Sequence, residues 1–183
     1  MMFVEGEPQT LLSAGEKRWR AILANRGIQP WPDLRLRFVV GAWKRRGHFF
    51  DLDNLVSPVL DAIGSKLSER ESIWATVELG DKPGVEITNG SPPPSPIGGL
   101  RVVLKNPPLR SIRTSKPLLE LVEANLFGEP SQPCGCEIRI GMNASGIAFG
   151  FEGPIKPTID ALWPLLGGTF KSPADHRVRD LRL

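Results

Sequence analysis

The sequence predicts an α+β protein in which one small unit of mixed sheet and helix occurs twice, arranged as a pseudo-dimer. An octapeptide at residues 56–63 aligns with residues 155–162 at a constant offset of 99, and three of the eight positions are identical. Candidate strands and helices also follow in the same order on both sides of a stretch rich in proline and glycine. We therefore predict repeat 1 at 1–87, a linker at 88–99 and repeat 2 at 100–183.

Hydrophobic periodicity places the elements of each repeat. In repeat 1 we predict strands at 2–4, 34–40 and 73–79, helices at 16–26 and around 59–63, and a basic loop at 44–48. In repeat 2 we predict strands at 100–104 and 177–183, a hairpin of 137–140 with 147–151, and helices at 116–126 and 156–166. Pro58 and Pro157 are expected in first helical turns, where a missing amide hydrogen costs little.

The chain carries a formal charge of +3, and its basic residues are concentrated. Residues 17–46 contain nine basic residues and one acid, with three tryptophans interleaved. Such a stretch can bind a polyanionic backbone, although a solvated helix face and strand edge would have the same composition. The nucleic-acid-binding candidates are Arg18, Arg20, Arg35, Arg37, Lys44, Arg45 and Arg46.

Other features exclude several classes of protein. No apolar run has the length of a membrane span, and the first residues lack the pattern of a signal peptide, so we expect no membrane partner and a cytoplasmic location. Two cysteines, Cys134 and Cys136, are too few for a disulfide framework. We interpret them as reduced thiols at the start of a strand.

An acidic motif, Asp51-Leu52-Asp53-Asn54, precedes the apolar helix of repeat 1. Carboxylates two residues apart in an extended segment point the same way and can reach one cation. Mg²⁺ is commonly held by one or two carboxylates. An ion bound by Asp51 and Asp53 would polarise a phosphodiester. The alternative is that Asp53 caps the helix by accepting hydrogen bonds from its first amides, and spacing alone favours this cap.

This motif, the basic loop before it, the Leu-Asp-Ala in the helix and the acidic turn after it resemble the RusA family of Holliday-junction resolvases. The opening residues 3–8, Phe-Val-Glu-Gly-Glu-Pro, are similar to the first strand and Gly-x-Pro turn of that family. The resemblance covers residues 2–87, and the repeat extends it to 101–183. It implies a small mixed α/β homodimer that cuts four-way DNA junctions with Mg²⁺, with Mn²⁺ as the alternative ion.

The family's active site, by this resemblance, uses the two aspartates of the motif, a lysine four residues later and an aspartate before the next strand. Asp51 and Asp53 take the paired positions in repeat 1. The lysine position falls on Ser57, and the later acidic position falls on Arg70, between two glutamates. Repeat 1 therefore has half of a site.

Repeat 2 departs from the family in a complementary way. In its copy of the motif only Glu152 keeps a carboxylate, but Lys156 occupies the lysine position and Asp175 the later acidic position. The two repeats jointly contain every group of one resolvase site. The resemblance implies Asp51, Asp53, Lys156 and Asp175 as catalytic residues, and Asp51, Asp53, Glu152 and Asp175 as metal ligands.

Three hypotheses follow. The chain is a fused pseudo-dimer with a working or composite metal site that cuts branched DNA, a decayed resolvase that binds DNA without cutting it, or a fold kept for binding a protein. We rank the nuclease first. His48 and His176 are interpreted as surface histidines, and Asp61 and Asp160, which occupy matched positions, as structural residues.

Overall fold

A computed structural model gives an α+β fold, in which helices pack on a large mixed sheet. It describes residues 1–10, 13–29, 31–45, 48–64, 71–91, 99–105, 116–129, 134–141, 155–169 and 174–183, and of these the side chains at 44–45, 48–49, 116–119, 134 and 140–141 are not described. Within these ranges, no helix is both long enough and apolar enough to cross a membrane.

The described residues form ten strands, five α-helices and one 3₁₀ turn. The strands are β1 Met2–Glu5, β2 Asp33–Val40, β3 Lys44–Arg45, β4 His48–Phe49, β5 Ser72–Leu79, β6 Gly84–Asn89, β7 Leu100–Lys105, β8 Leu126–Phe127, β9 Cys134–Gly141 and β10 Val178–Arg182. The helices are α1 Glu16–Ala24, α2 Leu52–Ala62, α3 Lys116–Ala124, α4 Ile155–Ala161 and α5 Trp163–Leu166, and the 3₁₀ turn is Asp175–Arg177.

Eight strands form one sheet in the order β1, β6, β2, β5, β10, β9, β7, β8. Strands β2 and β5 are parallel, and β6 lies antiparallel between β1 and β2. On the other side, β10, β9 and β7 are mutually parallel. The two groups meet where β5 pairs antiparallel with β10, with Ala75 opposite Leu181. Strands from both predicted repeats therefore share one continuous sheet.

The hydrophobic core also spans both segments. Strand β2 alternates the fully buried Leu34, Leu36 and Phe38 with Arg35 and Arg37, so that one face of the sheet is apolar and the other polar. The apolar face packs on α2, and buried residues of α2 and α4 belong to one hydrophobic cluster with it. Complete burial of each such leucine or phenylalanine contributes about 2 kcal/mol before the entropy of ordering is counted.

Most predicted elements are present within a few residues of their expected bounds. The helix predicted around 59–63 instead begins at Leu52, so Asp53 and Asn54 of the motif lie inside it rather than in an extended segment before it. Three further predictions need correction. The expected basic loop contains a short hairpin, in which β3 pairs with β4. The expected helix 156–166 is divided at Leu162 into α4 and α5. The expected helix 116–126 ends at Ala124, because Leu126 and Phe127 form β8 and pair with β7. The second strand of the expected hairpin, 147–151, lies outside the described residues.

Strand β6 is not among the predicted elements, and it reaches Asn89, inside the predicted linker. Its signal was the alternation of the buried Val85 and Ile87 with the partly exposed Glu86, which a proline and glycine count overlooks. Gly84, opposite Glu5, allows the close pairing of β6 with β1, because a Cβ there would lie 2.6 Å from the carbonyl oxygen of Val4.

The prediction for Pro58 is wrong, because α2 begins at Leu52 and Pro58 lies inside the helix. Its missing amide hydrogen leaves the Asn54 carbonyl without its usual partner in the helix. Pro157, in contrast, lies in the first turn of α4, as predicted.

Candidate active site

An ion pair joins the acidic motif to the second half of the chain. Lys156 in α4 donates a hydrogen bond from Nζ to Oδ2 of Asp53 in α2, over 2.6 Å. The Asp53 side chain is 1% exposed and that of Lys156 is 26% exposed. The two groups that the resemblance assigns to different repeats are therefore in direct contact.

The capping interpretation of Asp53 is wrong. Asp51 occupies the N-cap of α2, and within the described part of the chain its side chain makes no capping hydrogen bond. Asp53 lies in the first helical turn, past the cap position, where it pairs with Lys156 and is also stabilised by the backbone amide of Asn54. The carboxylate of Asp51 accepts a hydrogen bond from Nδ2 of Asn54 at 3.1 Å. Both aspartates thus lie at the N-terminus of α2, where the helix dipole favours negative charge.

Asp175 reaches the same site from the turn before β10. One ligand atom from each of Asp51, Asp175 and His176 lies within 4.8 Å of the others. Ala174, which directly precedes this turn, has a φ of 61° and is the one non-glycine residue of the described ranges with positive φ. A left-handed conformation is strained for alanine, and such strain persists only where the surrounding structure holds it. Here it directs the chain so that Asp175 and His176 approach Asp51.

Burial, and after it the crowding of carboxyl groups, determines the electrostatics of the site. Burial, together with the negative charges of Asp175 and Asp53, raises the pKa of Asp51 to about 7, against the opposing hydrogen bond from Asn54. Each like charge makes ionisation of its neighbours less favourable. A bound cation would remove this repulsion, and perturbed carboxyl groups of this kind are common at functional sites.

Asp53 and Lys156 stabilise one another in a buried setting. Burial raises the pKa of Asp53, and the positive charge of Lys156 opposes this effect. Burial by itself would lower the pKa of Lys156, but Asp53, with smaller effects from Asp160 and Asp175, raises it above its usual value. Lys156 is therefore protonated at neutral pH and keeps Oδ2 of Asp53 engaged. The other oxygen, Oδ1, is buried and has no hydrogen-bond partner among the described residues.

An arginine that sequence reasoning missed lies beside these acids. The guanidinium of Arg179 in β10 stacks on the ring of Trp43, 3.7 Å from its centroid. Burial lowers the pKa of Arg179, and the negative charge of Asp51 partly offsets this effect. Its Nη1 is buried with no hydrogen-bond partner in the part of the chain that the structure describes. The sequence held a weak signal only, a tryptophan inside the basic stretch.

The residues at this site fit a divalent cation. Asp51 and Asp175 offer carboxylate oxygens, the ligands that Mg²⁺ and Mn²⁺ prefer. His176, interpreted from the sequence as a surface histidine, is half-buried and offers a ring nitrogen to this group. Glu152, the remaining predicted ligand, lies outside the described residues.

The predicted nucleic-acid-binding residues are spread over the fold. Arg35 and Arg37 lie on the polar face of the sheet, opposite the face on which α2 packs. Arg35 stacks on Trp74, 4.1 Å from the ring centroid, and Arg37 pairs with Glu78 and Glu86. The structure therefore does not bring these two arginines to the acidic site.

The α1 arginines are closer to α2. Arg18 is exposed, whereas Arg20 lies 3.4 Å from both Glu16 and Asp61. The second contact joins α1 to α2, in keeping with the structural interpretation of Asp61. Lys44 and Arg45 lie in β3 with undescribed side chains, and Arg46 and Arg70 lie outside the described residues.

The site thus combines three carboxyl groups, a lysine, an arginine and a histidine on the helix-covered side of the sheet. Carboxylates can hold a cation, and the arginine can bind an anionic group beside it. Ser57, at the lysine position of repeat 1, is buried within α2. Comparison with known proteins adds no relative, since no family model, curated protein or solved structure matches the chain.

Proposed function

We propose that this protein is a metal-dependent endonuclease acting on branched DNA, with one composite active site. The proposal rests mainly on the contact between Asp53 and Lys156, together with the approach of Asp51 to Asp175. Residues that a resolvase site would need, drawn from opposite halves of the sequence, meet at one place.

We also infer that the two halves are copies of one unit related by an approximate two-fold axis between β5 and β10. From the sheet centre outward, β5, β2 and β1 in the first half correspond to β10, β9 and β7 in the second. Equivalent strands run in opposite directions, as a two-fold axis requires. Strand β6 is an addition of the first half. A four-way junction has a similar symmetry, which a pseudo-two-fold protein matches.

Each residue of the site would have a distinct role in binding the cation or the phosphate. Asp51 and Asp175 would hold a divalent cation, which supplies Lewis-acid polarisation of the phosphodiester when bound. Lys156 would engage Oδ2 of Asp53 and so fix the orientation of that carboxylate beside the cation site. Arg179 would bind a phosphate oxygen and stabilise the negative charge that develops during attack. Stacking on Trp43 would hold the guanidinium in place before the substrate arrives.

Affinity for DNA would come mainly from contacts with phosphates. The chain is basic overall, and the exposed Arg18 lies on α1, the helix that packs beside α2. Such binding depends steeply on salt and little on base sequence. Selectivity for branched DNA would then come from the shape of the two-fold surface.

The test compares labelled four-way junctions with linear duplex of the same sequence, in Mg²⁺, in Mn²⁺ and in EDTA. We expect cutting of the junction that needs the metal and is lost in Asp53→Asn. Asp81→Asn is the matched control, because Asp81 is an exposed aspartate in the turn between β5 and β6. Equal cutting in EDTA, or unchanged cutting by Asp53→Asn, would contradict the proposal.

The second candidate is a decayed resolvase that binds junctions without cutting them. It is favoured by the polar face of the sheet, where Trp74 has Arg35 at 4.1 Å and Arg182 at 6.0 Å from its ring centroid. The Trp74 ring is half-buried, and Arg35 beside it is exposed. Arginine stacked on an aromatic ring is a common surface for nucleic acid. Tight junction binding without cutting, weakened by Arg35→Ala and unaffected by Asp53→Asn, would favour this candidate.

A further inference from the structure

We propose that His176 is a ligand of the cation at this site and that it makes the site select Mn²⁺ over Mg²⁺. The inference deepens the proposed function, since it concerns the same cation site. His176 is not among the positions that the resolvase resemblance assigns. It adds an imidazole to a set of ligands that would otherwise be oxygens alone.

His176 lies close to two carboxylates and on a well-held turn. Its ring offers a nitrogen within 4.8 Å of carboxylate oxygens of Asp51 and Asp175, which is the spacing of ligands around one ion. Its backbone is held in place, because Arg177 donates from its amide to the Ala174 carbonyl at 3.1 Å and from Nη1 to the Leu166 carbonyl at 2.6 Å. The ring therefore starts from a fixed turn rather than from an open loop.

A second observation points to a ligand at the same place. Asp53 lies two residues from Asp51, in the first turn of the same helix. Its Oδ1 is almost completely buried and has no partner within the described ranges. A buried, unsatisfied carboxylate oxygen costs about 1–3 kcal/mol or more, and a cation would satisfy it.

The chemistry of the ligands gives the choice of ion. Mg²⁺ is a hard cation that binds oxygen, keeps several waters and demands a near-ideal octahedron. Imidazole nitrogen favours first-row transition ions, and Mn²⁺ also accepts carboxylates readily. A trio of two carboxylates and one imidazole therefore suits Mn²⁺ better than Mg²⁺. Mg²⁺ also loses its waters reluctantly, so replacing several of them with protein ligands is less favourable for Mg²⁺.

The test uses Mn²⁺ alone as a paramagnetic probe on the full chain, without DNA. In pulsed electron paramagnetic resonance, a coordinated imidazole produces a nitrogen modulation that oxygen ligands lack. We expect this modulation in the wild type and its loss in His176→Gln. His48→Gln is the matched control, because the chain has two histidines and His48 is the other one. Isothermal titration should show Mn²⁺ binding at least about tenfold tighter than Mg²⁺, a ratio that falls towards one in His176→Gln.

Two results would overturn the inference: nitrogen modulation that persists in His176→Gln, or equal affinities of the wild type for both ions. Should His176→Gln fail to fold, His176→Asp supplies an oxygen ligand instead, and should bind Mn²⁺ without modulation and gain affinity for Mg²⁺. A failure of the proposed nuclease function would be distinguishable from a failure of this inference. A protein with nitrogen-coordinated Mn²⁺ that leaves every junction uncut would keep this inference and lose the nuclease.

Discussion

Lys156 and Asp53, 103 positions apart in the chain, form an ion pair of 2.6 Å between α4 and α2. Asp53 is almost wholly enclosed, so its charge has little water to stabilise it. Removing one partner of such a pair leaves the other charge buried and uncompensated, which is far more costly than losing an exposed pair. The contact therefore links the stability of the two halves to the geometry of the site.

We expect Lys156→Met to reduce the free energy of unfolding by about 3 kcal/mol, because it leaves Asp53 buried without its cation. Asp53→Asn should cost less, since Lys156 is partly exposed and can be hydrated. The double variant should be more stable than the sum of the two single losses predicts, with a coupling energy of about 1–3 kcal/mol. Urea denaturation of the four proteins measures this cycle.

The matched control is the pair of Arg37 with Glu78, whose side chains are 40% and 49% exposed. Its coupling energy should stay below about 1 kcal/mol, because water screens both charges. Equal coupling energies for the two pairs would show that Asp53 and Lys156 are not held together in the folded protein.

A second prediction concerns pH and follows from Asp51. Burial and neighbouring acids raise the pKa of its folded form from 3.8 to about 7, so the folded protein binds this proton more tightly than the unfolded chain does. The stability contributed by this proton is complete below the unfolded pKa and is lost as pH rises through the folded value. In EDTA, the melting temperature should therefore fall as the pH rises from about 5 to about 8.

A divalent cation should reverse this trend, because it competes with the proton for the same carboxylate. The rise in melting temperature on adding Mn²⁺ or Mg²⁺ should be small at about pH 5 and largest above the folded pKa. Asp51→Asn should flatten both curves. A cation effect of the same size at every pH would mean that Asp51 does not hold the ion.

Much of this arrangement could be predicted because its signals are local in sequence. Apolar alternation along β2 and the helical period of α2 marked the strand and the helix on which the acids depend. The repeat located Lys156 by its neighbour Pro157, and the resemblance connected it with Asp53. The contact of these two residues needed only one further assumption, that the halves pack around a shared centre.

The rest depends on three-dimensional relationships that sequence spacing does not record. The basic stretch looked continuous, but Arg35 and Arg37 project from the polar face of the sheet, while Asp53 lies with the helices on the other. Arg179 reaches Asp51 because β10 joins the sheet beside β5, with a register irregularity between Val178 and Asp180. No periodicity in the chain encodes that proximity.

A third prediction concerns Arg179, which we propose stabilises the negative charge that develops on the phosphate during the reaction. Arg179→Met should lower the single-turnover rate of junction cutting by about 100-fold, because one fixed donor to the reacting phosphate is lost. Arg179→Lys should retain part of the rate, since it keeps the charge but loses the planar fork that stacks on Trp43. Arg139→Met is the control, because the Arg139 side chain is 63% exposed on β9. Equal rates for the two methionine variants would remove Arg179 from the mechanism.

The last prediction follows from the proposed two-fold axis, which implies a second site position related to the first by symmetry. There the lysine is replaced by Ser57, the later aspartate by Arg70, and the first motif aspartate by Gly150. Only one composite site then keeps a complete set of groups. A resolvase with two sites cuts two strands of a junction, whereas this chain should cut one and leave the other intact.

A supercoiled plasmid that extrudes a cruciform separates these outcomes. One incision releases the supercoils, reabsorbs the cruciform and yields a nicked circle, whereas paired incisions within one bound complex yield a linear molecule. We expect nicked circles at all early times, with Asp53→Asn giving neither product. Linear product that forms without a nicked precursor would require a second competent site, which the residues at that position do not supply, or a dimer of the whole chain that brings two composite sites to one junction.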